Sequence, residues 1–156
     1  MAEYVAELSW TRGTQAFTDN RYKRVFETRF PGGATVPGSA SPHVVPAVLT
    51  DPSGVDPEQM FVSSLSACHM LWFLSIAAQR GWRVDRYDDR AVGVMARNAQ
   101  GQMAMTRVTL HPCCRFADDT RPSDIELAAA HEQAHAACFI ANSVRTEVVV
   151  DLGVHA

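Results

Sequence analysis

The sequence predicts an α+β fold in which antiparallel sheets pack on a long, buried central helix, with a second helix late in the chain. Three observations carry this reading. No Asp, Glu, Lys or Arg occurs between Glu58 and Arg80, and helix start and stop signals bracket the run. Ser123 opens a Ser-Asp-Ile-Glu capping box ahead of an alanine-rich stretch. Segments before, between and after these two regions have the composition or alternation of strands.

Taken in chain order, residues 4–30 mix short β-prone pieces with turn residues such as Gly13, Asp19 and Asn20, which predicts a strand meander. Residues 31–55 carry Pro31, Gly32, Gly33, Pro37, Gly38, Pro42, Pro46, Pro52 and Gly54. That density predicts a long loop with no regular element. Asp56 suits an N-cap, Pro57 the first helical position, and Gln59 the reciprocal capping position. A helix of about 24 residues should run from there to the stop at Gly81. Its serines, with His69 inside it and no basic cluster beside it, suit a buried core helix rather than a membrane span. Residues 90–97 and 102–116 flank the polar turn Asn98–Gly101 and predict a long hairpin. The second helix should run from Ser123 to about Ala137, followed by a strand in which Val144, Thr146, Val148, Val150 and Leu152 alternate with polar residues.

With 156 residues, 47% of them hydrophobic, the chain fits one domain spanning residues 1–156. A formal charge of -3 offers no basic surplus for phosphates, so nucleic acid has no support as a partner. Glu3 and Glu7 stand where a signal peptide needs a basic start and an apolar run, so a cytoplasmic location is expected. In that compartment four cysteines are read as free, catalytic or metal-binding rather than as a disulfide framework.

Cys68 falls about three turns into the first helix, among Leu65, Leu71 and Trp72. It reads either as a packed core thiol or as a nucleophile. So far from the helix N-terminus, reactivity would require a cation from elsewhere, with Arg29, Arg24 and Arg21 as candidates. Cys138, at the end of the second helix, is either a partner sulfur or another core residue; sequence spacing leaves both open. His131-Glu132-Gln133-Ala134-His135 matches the zinc-peptidase pattern of two histidines four apart with an intervening Glu. No third-ligand pattern follows, so a plain amphipathic helix is the simpler reading. Cys113 and Cys114 are adjacent and would point to opposite faces of a strand, poor joint ligands even with His111 nearby.

The segment from Asp56 to His69, Asp-Pro-Glu-Gln-Met-Phe-Val-Ser-Ser-Leu-Ser-Ala-Cys-His, resembles the OsmC/Ohr family of osmotically inducible and organic hydroperoxide resistance proteins. The family motif has Pro-Glu at a helix start and a cysteine ten residues after the Glu, the relation of Glu58 to Cys68. Its second cysteine lies in a later helix before the last strands, as Cys138 does. The segment Phe26–Phe30 is similar to the one whose Arg faces the thiol, which maps to Arg29, with Arg24 as the alternative because the connection 31–55 is long.

That resemblance implies an OsmC-like fold, an intertwined homodimer and a thiol peroxidase that uses no cofactor. In the implied mechanism Cys68 attacks the peroxide, the sulfenic acid condenses with Cys138, Arg29 supports the thiolate and Glu58 holds Arg29. The implied reductant is a dithiol, a lipoylated protein or a small thiol. The apolar neighbours Phe61, Leu65, Leu71 and Trp72 point to organic hydroperoxides. Phe139 replaces a proline that many members carry after the second cysteine. Two other readings stand beside this one: a zinc-dependent hydrolase using His131, Glu132 and His135, and a non-enzymatic stress-associated binding domain.

Overall fold

A computed structural model describes residues 1–117 and 119–153. The chain divides into two compact units, Met1–Met60 and Phe61–Ala156.

The first unit holds β1 (Glu7–Ser9), β2 (Val25–Arg29) and β3 (Thr35–Ser39), an antiparallel sheet in that order. The expected meander is present, but β3 lies inside the stretch read as pure loop. Proline is tolerated there because β3 is an edge strand, where one missing N–H leaves the ladder largely intact. The Pro37 carbonyl still accepts from Val55 N at 2.9 Å. Gly38 is required by contact: a Cβ at that position would lie 2.2 Å from the Phe26 ring.

Helix α1 spans Pro57–Gln79. Its start is the predicted capping box, with Gln59 N donating to Asp56 Oδ1 at 2.7 Å and Asp56 N donating to Gln59 Oε1 at 3.1 Å. Its stop is also as predicted: Gly81 takes φ +76° and Trp82 N donates to Ala77 O at 2.9 Å. Burial, however, follows a single stripe of Leu65, His69, Phe73, Ile76 and Ala77. Leu71 on another face is 63% exposed, so this chain covers one side of an apolar helix rather than all of it. The helix has the length and composition to cross a membrane, but its buried stripe includes a histidine and packs into protein cores.

In the second unit β4 (Val84–Asp89) pairs antiparallel with β7 (Pro112–Phe116), while β5 (Val92–Arg97), β6 (Met103–Leu110) and β8 (Glu147–Val150) form a sheet in that order. The predicted hairpin is β5–β6, closed by Asn98, whose side-chain oxygen accepts from Gln100 N and Gln102 N. It does not continue to residue 116. The chain breaks at His111 and β7 turns away to pair with β4, a mostly polar strand that hydrophobic alternation does not reveal. The last strand is shorter than its pattern suggested and runs parallel to β6, while the other strand pairs are antiparallel. Helix α2 (Asp124–Ala137) begins at the predicted Ser123 capping box. One core joins Phe73, Ile76 and Ala77 of α1 to Ala130 and Ala134 of α2. Another joins Leu65 to Val108 and Leu110 of β6.

Candidate active site

The second unit brings Cys68 and Cys138 together. Cys68 lies mid-way along α1 and is half-buried; Cys138 caps the C-terminus of α2 and is 1% exposed. Both thiols are free. Burial, and after it the hydrogen bond to Cys68, pushes the Cys138 thiol up to about 11. The backbone at the helix end is specific too: Ala141 N donates to Cys138 Sγ at 3.4 Å. The less accessible sulfur is thus held protonated and aimed at the more accessible one.

Aromatic rings flank this pair. Trp72 follows Cys68 by one helical turn, Phe139 follows Cys138 directly, and the two rings meet edge to face with centroids 5.4 Å apart. Phe139 is 66% exposed. A large ring whose only aromatic neighbour among the described residues sits one turn from Cys68 makes an apolar wall open to solvent.

The charged candidates lie in the first unit. Arg29, at the end of β2, is exposed, and its Nε donates to Glu27 Oε1 at 2.5 Å. The ion pair expected between Arg29 and Glu58 is not made within the chain, because Glu27 lies two residues away on the same strand face and takes the guanidinium. Glu58 Oε2 is buried with no protein partner among the described residues. Arg24 is more firmly held. Its guanidinium donates to Asn20 O, Asn20 Oδ1 and Tyr22 O and lies 4.5 Å from the Tyr22 ring centroid.

The residue after Cys68 leads elsewhere. His69 Nε2 lies 2.9 Å from His131 Nδ1, both rings being buried. Their planes are parallel within 5° and their centroids 5.2 Å apart. Nitrogens so much closer than the centroids mean that the rings meet edge to edge rather than face to face. Phe73 stacks on His131 at 4.1 Å. Burial lowers His69 to about 4, with His135 adding to the shift and Asp89 opposing it; burial and then His69 lower His131 to about 3. Two neutral imidazoles therefore bridge the helices that carry the thiols. Nearby, Asp89 Oδ2 accepts from Ser66 Oγ at 2.5 Å and Asp89 Oδ1 from His111 N at 2.7 Å, fixing α1 to the corner between β6 and β7. Sequence reasoning missed both arrangements. An apolar helix pattern gives no hint of a buried polar partner, though a histidine in such a run is the signal to look for one.

The His-Glu-x-x-His segment lies on α2 as expected, but His131 spends Nδ1 on His69, and the described residues contain no group of three metal-ligating side chains. Cys113 is exposed and Cys114 half-buried on β7. Burial raises Cys114 to about 12.

A family model described as OsmC-like protein matches residues 50–153. The chain belongs to the OsmC-like family. A solved structure of an OsmC-like protein of unknown function from Vibrio cholerae is 47% identical, with 97% of this chain and 99% of that one covered and a TM-score of 0.95. An organic hydroperoxide resistance protein from Legionella pneumophila shares the OsmC-like fold at 15% identity, TM-score 0.67, covering 97% and 95% of the two chains. One from Bacillus subtilis does so at 17% identity, TM-score 0.67, covering 96% and 98%. No curated protein matches the sequence.

Proposed function

We propose that this OsmC-like protein is a thiol-dependent peroxidase acting on organic hydroperoxides, with Cys68 as the attacking thiol and Cys138 as the resolving one. The hydrogen bond between their sulfurs carries the reading, and similarity in fold to organic hydroperoxide resistance proteins supports it. In the first step the Cys68 thiolate forms an S–O bond to the terminal peroxide oxygen as the O–O bond breaks, and the alkoxide takes a proton and leaves as the alcohol. Cys138, as thiolate, then attacks the sulfenic sulfur; an S–S bond forms as the S–O bond breaks, and the departing hydroxide takes a proton from solvent to leave as water. A dithiol reductant restores both thiols by exchange and is itself oxidised to a disulfide.

Cys68 requires a cation and Glu58 requires a donor. We assign both needs to Arg29, with Arg24 as the alternative, supplied when a second copy covers the exposed apolar face of α1 in a homodimer. The wall of Trp72 and Phe139 would favour alkyl and aryl peroxides over hydrogen peroxide.

The test treats reduced protein with one equivalent of cumene hydroperoxide and maps the products by mass spectrometry. A Cys68–Cys138 disulfide is expected in the wild type, and a trappable sulfenic acid at Cys68 in Cys138→Ser. Arg29→Met and Arg24→Met beside them identify the cation, the correct one slowing Cys68 oxidation at least a hundredfold. An unmodified Cys68 would end the proposal and favour a non-enzymatic binding role.

A further inference from the structure

Helix α2 and strand β8 enclose a partly open cavity of about 290 Å³, lined by Ala128, His131, Glu132, His135, Val148, Val150 and Leu152. Its volume sits at the small end of ligand pockets, which run from roughly 300 to 1,000 Å³. Ala128, Val148, Val150 and Leu152 supply the aliphatic wall, and His131 and His135, four residues apart, share one face of α2.

The tautomers of the two histidines follow from which nitrogens have partners. His69 Nδ1 is buried without a protein partner among the described residues. An orphaned acceptor is tolerated better than an orphaned N–H donor. The proton of His69 therefore sits on Nε2 and is donated to His131 Nδ1. Neutral His131 must then carry its own proton on Nε2, on the ring edge turned away from His69. His135 follows the same logic: its Nδ1 is buried without a partner among the described residues, which places the ring N–H on Nε2. Both residues line the cavity, so Nε2–H is the donor that each ring has to offer a ligand there.

We propose that this cavity binds a small aliphatic molecule with an uncharged hydrogen-bond acceptor at its head, a ketone or alcohol oxygen held by His131 Nε2–H and His135 Nε2–H. Val148, Val150, Leu152 and Ala128 would take the hydrocarbon. The Glu132 carboxylate at the same cavity disfavours an anionic head, and buried neutral His131 offers no positive charge to offset that repulsion. A cationic head would suit Glu132 but would leave both imidazole donors unmatched. The site uses neither Cys68 nor Cys138, so it stands apart from the peroxidase reading.

The test uses the full chain at pH 8, reduced, with imidazole nitrogens observed by long-range proton–nitrogen correlation spectroscopy. His131 and His135 are expected as Nε2–H tautomers, and 2-heptanone is expected to shift both resonances saturably. Hexanoate and hexylammonium should bind at least tenfold more weakly. His135→Ala should weaken 2-heptanone binding by tenfold or more, and Ala128→Phe should abolish it by filling the cavity. An Nδ1–H tautomer at His131 would overturn the proposal, as would the absence of saturable shifts in the wild type. Preferential binding of hexylammonium, or stoichiometric zinc held by the two histidines, would also overturn it. Because the wild-type spectra alone decide these outcomes, a variant that fails to fold does not blur the result.

Discussion

His69 Nε2 and His131 Nδ1 meet at 2.9 Å in a buried plane, joining the middle of α1 to α2 one residue beyond Cys68. Neither ring can accept a second proton without losing that bond or placing a charge in the core. Both folded-state pKa values, about 4 and about 3, lie below the ordinary 6.5. The unfolded chain thus binds more protons between these limits. Their contribution is fully present above about pH 6.5 and is lost as pH falls toward 4 and 3. Asp89, which faces His69, moderates the loss, and His135 adds to it. Urea midpoints should hold between pH 7.5 and about 6.5 and fall from there to pH 4; a flat profile across the lower range would contradict the buried neutral pair.

The sulfurs should differ sharply in chemistry. With Cys138 near 11, chiefly through burial, the disulfide-forming step should accelerate close to tenfold per pH unit between pH 7 and 9, because only the thiolate attacks. Stopped-flow trapping of the sulfenic acid measures it. Iodoacetamide at pH 8 should label exposed Cys113 readily and leave Cys114 unlabelled, because burial raises Cys114 to about 12. Peptide mapping reads both, and labelling of Cys114 in native protein would count against the sheet as described.

Phe139→Ala removes the edge-to-face contact on Trp72, an arrangement worth about 0.5–1.5 kcal/mol beyond simple burial. The expected result is a loss of up to about tenfold in kcat/KM for cumene hydroperoxide. Hydrogen peroxide turnover, which gains nothing from an apolar wall, should hardly change. Equal losses on both peroxides would mean that the ring serves only packing.

Asp89→Ala should destabilise the fold by about 3 kcal/mol, since two hydrogen bonds to a charged acceptor are lost and the donors are left unpaired. Ser66→Ala removes one of the two and should cost about half as much. Gly93→Ala should be costly for a different reason: a Cβ there would lie 2.6 Å from Val62 Cγ2 and 2.7 Å from Met105 Sδ. Overpacking of this kind costs about 1–3 kcal/mol. Chemical denaturation of the three variants ranks them.

Local chemistry explains which parts of this fold were legible in the sequence. Asp56 with Gln59, Ser123 with Glu126, Gly81 and Asn98 each act within a few residues, and each produced the cap, stop or turn expected. Pairing partners are not local. Nothing in Val84–Asp89 announces that it pairs with Pro112–Phe116, and a strand through Pro37 is tolerable only because it lies at an edge. At the site, the family motif led to Cys68 and Cys138, whose contact depends on the placement of α1 and α2. His69 reads from sequence as a structural neighbour of Cys68 rather than a base, but its partner is not legible there because it lies 62 residues away.

The two thiols sit on elements separated by about 70 residues of chain, and joining them closes a ring of that size. Such a closure lowers the entropy of the unfolded chain enough to add roughly 4 kcal/mol of stability if the native geometry accepts it without strain. The oxidised chain would then open less often to proteases than the reduced one. Persistence in the cell would become a readout of recent peroxide exposure, with reduction of the bond returning the protein to ordinary turnover.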